Sequence, residues 1–409
     1  MKTKRIVALV LCAVLACLSL VGCGENIDWL KEYNYQPEVI QETYFDFYIV
    51  VGEGSQKMAK ESVNSKLNQI FSDEYNTRIA IHFIETDDYV SELQTALNST
   101  ADVTNMPKGY HYGGKIILIN DYAMLENVKI GEGEAQQKLA DVLAPLDSYL
   151  ATNAFGKLNT QIAASLLASA KKTDNGTLAI PNNRRVGEYT YLVVNRDLAE
   201  NVYGFSAQTE IPAMTAEDVN AFKELVAASS AVRSEEANGD IVYKVGDAVL
   251  AKITKGNYED KATLEDGGKW MCNVSKLPEA TVEMAYASAF GIIPGVNLTK
   301  EVEVKVEGQP VMQTVVTLDC VARAMEIIYA INTNVTVRNT LQYGVENTNF
   351  TLNDNGFIQI TNSDDSNYAY HMDLIYTGDV LKAYYQEGVW TPDMADSIKR
   401  QNNESVIAD

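Results

Sequence analysis

Four groupings along the chain have residue types and spacings that chemistry uses. Gly52-Glu53-Gly54-Ser55-Gln56-Lys57 follows an apolar run and carries the first half of G-x-G-x-x-G, a turn that cradles phosphate on backbone N–H groups. Ser169-Ala170-Lys171-Lys172 matches S-x-x-K, a serine nucleophile with its lysine. His82, His111 and His371, with Cys272 and Cys320, are the soft metal ligands outside the leader, and Asn/Asp clusters at 353–356 and 361–367 are candidates for calcium.

Most of this chemistry fails on its own terms. The glycine turn lacks its third glycine and puts Glu53 where a pyrophosphate would sit, so phosphate is repelled. What survives is a turn at a strand end, either a ligand contact or a purely structural one. S-x-x-K stands without S-D-N or K-T-G and reads as lysines closing a helix, and no G-x-S-x-G occurs. The histidines and cysteines lack metal-ligand spacing, and the Asn/Asp clusters lack the terminal glutamate of a calcium loop, so Asx turns are expected. No metal and no cofactor is expected. With 55 acidic residues a glycosidase carboxylate pair stays open, but none is nominated.

Composition narrows the classes further. The 409 residues are 46% hydrophobic, enough for a large core. A net charge of -22 repels phosphate backbones and excludes nucleic acid as a natural partner. Tyrosines number 23 against 10 phenylalanines, and a tyrosine face with its hydroxyl suits sugar rings. Lys2, Lys4 and Arg5 precede an uncharged apolar run over 6–20, the layout of a signal peptide and too short for a membrane span. Leu20-Val21-Gly22-Cys23 resembles the bacterial lipobox, which implies residues 1–23 as a lipoprotein signal, lipid on Cys23, and an extracytoplasmic protein held to the cell membrane. Ordinary secretory cleavage near Gly22 is the rival. Residues 24–43 read as a tether, and Cys272 with Cys320 as one disulfide or two separate buried thiols.

The elements that would position these groups follow from periodicity. A strand over 44–51 leads through the glycine turn into a helix with Ala59, Val63, Leu67, Ile70 and Phe71 on one face. A strand over 78–84, a helix over 88–97 and a strand over 115–120 come next, a β-α-β-α start that demands a parallel sheet with covering helices. Helices are expected at 135–143 and 159–171, and strands at 177–181 and 189–195. Thr215 with Asp218 opens another helix, and hairpins turn at Gly246-Asp247 and Gly308. Helices return at 321–329 and 335–343.

Several segments in order resemble one family, the extracellular solute-binding lipoproteins of carbohydrate ABC transporters. They are LAIPNNRRVGEYTYLVVNRDLAENVYGFS, the helix start TAEDVNAF, ARAMEIIYAINTNVTVRNTLQYGVENTNFTLNDNG, and YHMDLIYTGDVLKAYYQEGVWTPDM. The resemblance implies an α/β, two-lobed periplasmic-binding-protein-like fold. Lobe one would hold 44–189 and 285–345, and lobe two 190–284 and 346–409. Lobe two is expected to be reduced, because the stretch from TAED to Trp270 is short for the family. The implied function is capture of a sugar or oligosaccharide for the transmembrane subunits of an ABC import permease, with no catalytic residue. Ligand contacts are then expected from Glu53 and Ser55, Asn120, Asn182 and Arg184, with Trp270 as a stacking platform or lobe-two core. Tyr343 and Glu346 are either contacts or parts of a structural turn. An exported carbohydrate-active enzyme, a receptor for peptides or other polar solutes, and a lipoprotein without a small ligand are the rivals.

Overall fold

The computed structural model describes residues 42–99, 106–169, 171–172, 176–183, 189–204, 216–256, 264, 270–274, 288–306, 309–361 and 367–404. The described residues open with β1 (Thr43–Val51), α1 (Lys57–Tyr75), β2 (Thr77–Glu85), α2 (Tyr89–Asn98) and β3 (His111–Ile119). Both β2 and β3 pair in parallel with β1. α1 forms because Ala59, Val63, Leu67 and Phe71 recur every four residues and bury together, and Asn76 ends it in the left-handed conformation at φ 50°. Its polar flank also serves the sheet. Asn68 Oδ1 accepts the Ile79 N–H at 2.8 Å, its Nδ2 donates to the Ile79 carbonyl at 2.7 Å, and Asn64 Oδ1 accepts the Ile81 N–H at 3.1 Å. The open edge of β2 is thereby closed against other strands.

Two further strands complete this first sheet, β4 (Ala179–Pro181) and, much later in the chain, β10 (Ala289–Pro294). The order is β2-β1-β3-β10-β4, with β10 antiparallel to both neighbours. One large core covers both faces of the sheet. It includes α4 (Cys320–Thr333), which packs on β3 and β10, and α5 (Val335–Tyr343), which packs on α1.

Between β4 and β10 the chain leaves this body and builds another. β5 (Tyr189–Asn195), α3 (Ala216–Ser229), β6 (Val232–Glu235), β7 (Ile241–Val245), β8 (Ala248–Gly256) and β9 (Trp270–Val274) form a sheet ordered β6-β7-β8-β5-β9, antiparallel throughout. Its separate core joins Leu192, Val194, Leu250 and Ile253 to Phe222 and Leu225 of α3, with Phe222 and Tyr243 edge to face at 5.3 Å. The fold is therefore α/β and two-lobed. Its second lobe is, among the described residues, one antiparallel sheet under one long helix.

Both helices expected between 135 and 171 come out differently. The helix expected at 135–143 shrinks to Leu139–Val142, because Gln137–Lys138 pairs as a strand with Lys129–Ile130. The helix expected at 159–171 is two, Leu158–Gln161 and Ala164–Ser169, and the Asn183 side chain fills the break by donating to the Gln161 carbonyl. Lys171 and Lys172 then pair as a strand with Gly176–Thr177, so they do not close a helix. The segment assigned to lobe two from 346 onward contributes β13 (Phe350–Leu352), β14 (Ile358–Ile360) and α6 (Pro392–Glu404), and its stretch 369–380 bonds to the first lobe.

The hairpin at Gly246-Asp247 forms as expected, and β11 (Leu298–Val306) pairs with β12 (Gln309–Leu318) in the other. Cys320 is a free, buried thiol rather than half of a disulfide. Thr215 lies outside the described residues, as does most of the second Asn/Asp cluster, whereas Asn353 makes the expected Asx turn by accepting the Asn355 and Phe357 N–H groups. Among the described residues no helix is long and apolar enough to cross a membrane.

Candidate functional site

Register aligns the polar positions of the first lobe along one edge. β1 ends at Val51 and β3 at Ile119, while β10 begins with Ala289 opposite both Ile119 and Pro181. Gly52, Asn120, Ser288 and Asn182 consequently lie at one edge, the carboxyl end of the parallel strands, where open α/β sheets bind ligands.

A strap, residues 369–380, runs along that edge. Gln56 N–H donates to the Ala369 carbonyl and Gly52 N–H to that of His371, both at 2.8 Å. Ser55 Oγ donates to the His371 carbonyl at 3.2 Å and accepts the His371 N–H at 2.9 Å. Further along, Ser288 Oγ donates to the Ile375 carbonyl and itself accepts from Asn182 Nδ2 at 2.9 Å. Asn182 Oδ1 accepts the Gly378 N–H at 2.9 Å, and Asn183 donates to Asp379 Oδ1 at 2.8 Å. Gly52 makes the crossing possible, since a Cβ there would stand 2.9 Å from the His371 Cβ.

Behind the strap lies a buried polar frame. Gln342 Nε2 donates to the Met372 carbonyl, and its Oε1 accepts from Thr377 Oγ1 at 2.5 Å. Arg338, fully buried one helical turn earlier, donates to the same Oε1 at 3.4 Å, and burial brings its guanidinium down to about 10. Burial likewise raises the Asp379 carboxyl, against the opposing hydrogen bond from Asn183. Such a frame fixes the strap, because the hydrogen bonds of Gln342 to Met372 and Thr377 are made only in this arrangement.

In front, between Gly52, the end of α5 and the strap, is an open cavity of ≈ 380 Å³. Tyr343 and Tyr370 supply aromatic walls, His371, Asp373 and Gln386 polar ones, and Ile360 and Val389 an apolar rim. Tyr343 is held by its hydroxyl on the Tyr384 carbonyl at 3.1 Å, and Tyr370 by its own on the Leu341 carbonyl at 2.8 Å. Flat faces with a few polar groups at the margin bind ring-shaped polar molecules. Among the described residues no three His, Cys, Asp or Glu side chains are grouped to hold a metal ion.

The residues nominated from sequence divide into groups. Glu53 is exposed in the turn, and Tyr343 lines the cavity whose wall includes Gly52. Asn120 stands at the end of β3 with its Oδ1 buried and no hydrogen-bond partner. Ser55 and Asn182 are buried and engaged with the strap. Glu346 is exposed and bridges through its backbone to Phe350. Trp270 opens β9 in the other lobe, its backbone opposite Asn195. Arg184 and Cys23 lie outside the described residues. Sequence reasoning missed Gln342, Tyr370 and His371. Gln342 adjoins the nominated Tyr343, but no local pattern joins His371 to a serine 316 residues away.

No family model and no curated protein matches this chain. Among solved structures it is similar to the N-glycan transport solute binding protein of Streptococcus pneumoniae in complex with Man1GlcNAc, at 14% identity and a TM-score of 0.43, over 89% of this chain and 83% of that one. It is also similar to an extracellular solute-binding protein family 1 structure from Alicyclobacillus acidocaldarius, at 12% identity and a TM-score of 0.36, over 75% and 78% of the two chains. A third is the GacH receptor of Streptomyces glaucescens, solved unliganded and with acarbose, at 11% identity and a TM-score of 0.31, over 90% and 88%.

Proposed function

We propose that this protein is an extracytoplasmic solute receptor that captures a sugar or oligosaccharide and delivers it to an ABC import permease, held to the membrane by lipid on Cys23. The observation that carries the reading is the double crossing. The chain leaves a first sheet after β4, completes a second sheet with its own core, and returns through β10. Two bodies joined by paired crossings can move as units, and a ligand touching both stabilises the closed form by the contacts that the open form lacks.

The acidic surface and the aromatic, part-polar cavity favour a neutral polyol over an anion. In this reading Glu53, Asn120 and Tyr343 bind from the first lobe, and Asn120 Oδ1, which has no partner, accepts a ligand hydroxyl. Arg184 adds a contact from the first lobe and Trp270 supplies the facing one, with Glu346 at the margin. No residue acts as a catalyst.

Thermal unfolding against a glycan panel tests this, because a ligand at ~100 times its dissociation constant adds roughly 2.7 kcal/mol. Saturable stabilisation without any product is expected, and Asn120→Ala should weaken it about fivefold or more while leaving the unliganded melting temperature in place. Turnover of a glycan, or stabilisation by peptides alone, would overturn the proposal.

A further inference from the structure

β11 and β12 form a sheet of two strands, paired from Leu298 with Leu318 to Val306 with Gln309, and among the described residues no third strand joins them. The hairpin is rooted by buried Leu318 and Val315, and beyond that root the described residues of β12, from 309 to 314, are all exposed. It is an arm standing off the first lobe. Two strands alone are marginally stable, and every open edge offers unpaired backbone groups to another strand.

The two edges of the arm are not alike. β11 (LTKEVEVKV) carries Lys300, Glu301, Glu303 and Lys305, the charged side chains that natural edges use to discourage pairing. β12 (QPVMQTVVTL) carries no charge in ten residues, although the whole chain bears a net charge of -22. Val311 is 44% and Met312 58% exposed on it. Proline, which also blunts an edge, occurs only at Pro310, beside the tip.

We infer that β12 pairs antiparallel with β12 of a second copy of this chain. A partner strand for this edge must be extended, uncharged where it joins, since β12 offers no counter-charge, and able to set apolar side chains against Val311 and Met312. β12 itself meets all three conditions, and a two-fold axis lets one strand serve as its own complement. The product is a four-stranded sheet, β11-β12-β12-β11, with both uncharged edges joined inside and a charged β11 at each outer edge. Val311 and Met312 of the two copies come to lie across the join, where cross-strand apolar pairs stabilise a sheet.

Sedimentation velocity of the full-length protein over a concentration series tests the inference. The expected species has twice the mass of a single chain. Val311→Lys with Met312→Lys, at exposed positions that spare the arm's root, should weaken the dimer more than about tenfold while leaving the circular dichroism unchanged. Under mild oxidation Gln313→Cys should give a disulfide-linked pair, and Glu303→Cys on β11 should not. A single-chain mass at every concentration, a dimer indifferent to the two lysines, or a β12-dependent complex formed only with a different protein would each overturn it.

Discussion

Ser55→Ala measures how the strap is fastened. In the folded chain one hydroxyl closes two bonds to the backbone of His371, accepting its N–H at 2.9 Å and donating to its carbonyl at 3.2 Å, with Ser55 only 6% exposed. The carbonyl keeps the Gly52 N–H at 2.8 Å after the substitution, so the N–H bears most of the loss. An intramolecular hydrogen bond contributes about 1 kcal/mol net, and a buried donor left without its acceptor costs about 1–3 kcal/mol. The expected loss is therefore about 1–3 kcal/mol, felt first as local opening of 369–380. Amide hydrogen exchange reads it directly. The His371 amide should lose about tenfold or more in protection, since 1.4 kcal/mol is a factor of about ten, while amides of the second sheet keep theirs. Gly52→Ala, which drives a Cβ to within 2.9 Å of the His371 Cβ, should combine with Ser55→Ala non-additively, because both act on one residue. Unchanged exchange at His371, with a stability change below about 0.5 kcal/mol, would refute the reasoning that Ser55 holds the strap.

Two further predictions concern titratable groups away from the cavity. Burial pushes the Asp46 carboxyl up, but hydrogen bonds from His82 and Tyr112, each 2.8 Å long, outweigh it and hold the group below its ordinary value. A folded-state pKa below the unfolded one gives stability that is present above about pH 4 and lost as pH falls through the folded value. Tyr112→Phe should flatten that loss in urea titrations at decreasing pH, and an unchanged pH slope would count against it. Cys320 is buried, and its thiol is pushed up to about 12 by burial and then by Asp319. Iodoacetamide should spare it in the native protein and label it in urea without reductant. Equal labelling in both states would contradict the buried site, and failure to label in urea would contradict the free thiol.

Local pattern made the parallel half of the first lobe readable. The spacing of Ala59, Val63, Leu67 and Phe71, and the aromatic run before Gly52, carry α1 and β1 with no help from the rest of the chain. The failures came where distant residues decide. Asn183 breaks the helix expected at 159–171, and Gln137–Lys138 follows its partner strand rather than a helical period. At the site, polarity and strand-end position nominated Ser55 and Asn182 as ligand contacts, and no local feature says that their hydrogen bonds go to backbone at 371, 375 and 378. A polar residue at a strand end faces a ligand or another part of its own chain, and sequence alone does not separate the two.

The strap and the late return of β10 also bear on the order of folding. The second sheet is drawn from one continuous stretch, 189–274, and can close as soon as that stretch exists. The first sheet, although it opens the chain, lacks an internal strand until β10 arrives, and its edge has no cover until residues near 380 do. Long-range pairings of this kind are slow because loop closure precedes any gain from contact. During synthesis, then, the amino-terminal body is the last to be finished. Until it is, the strand ends of β1 and β3 stay open to chaperones and proteases.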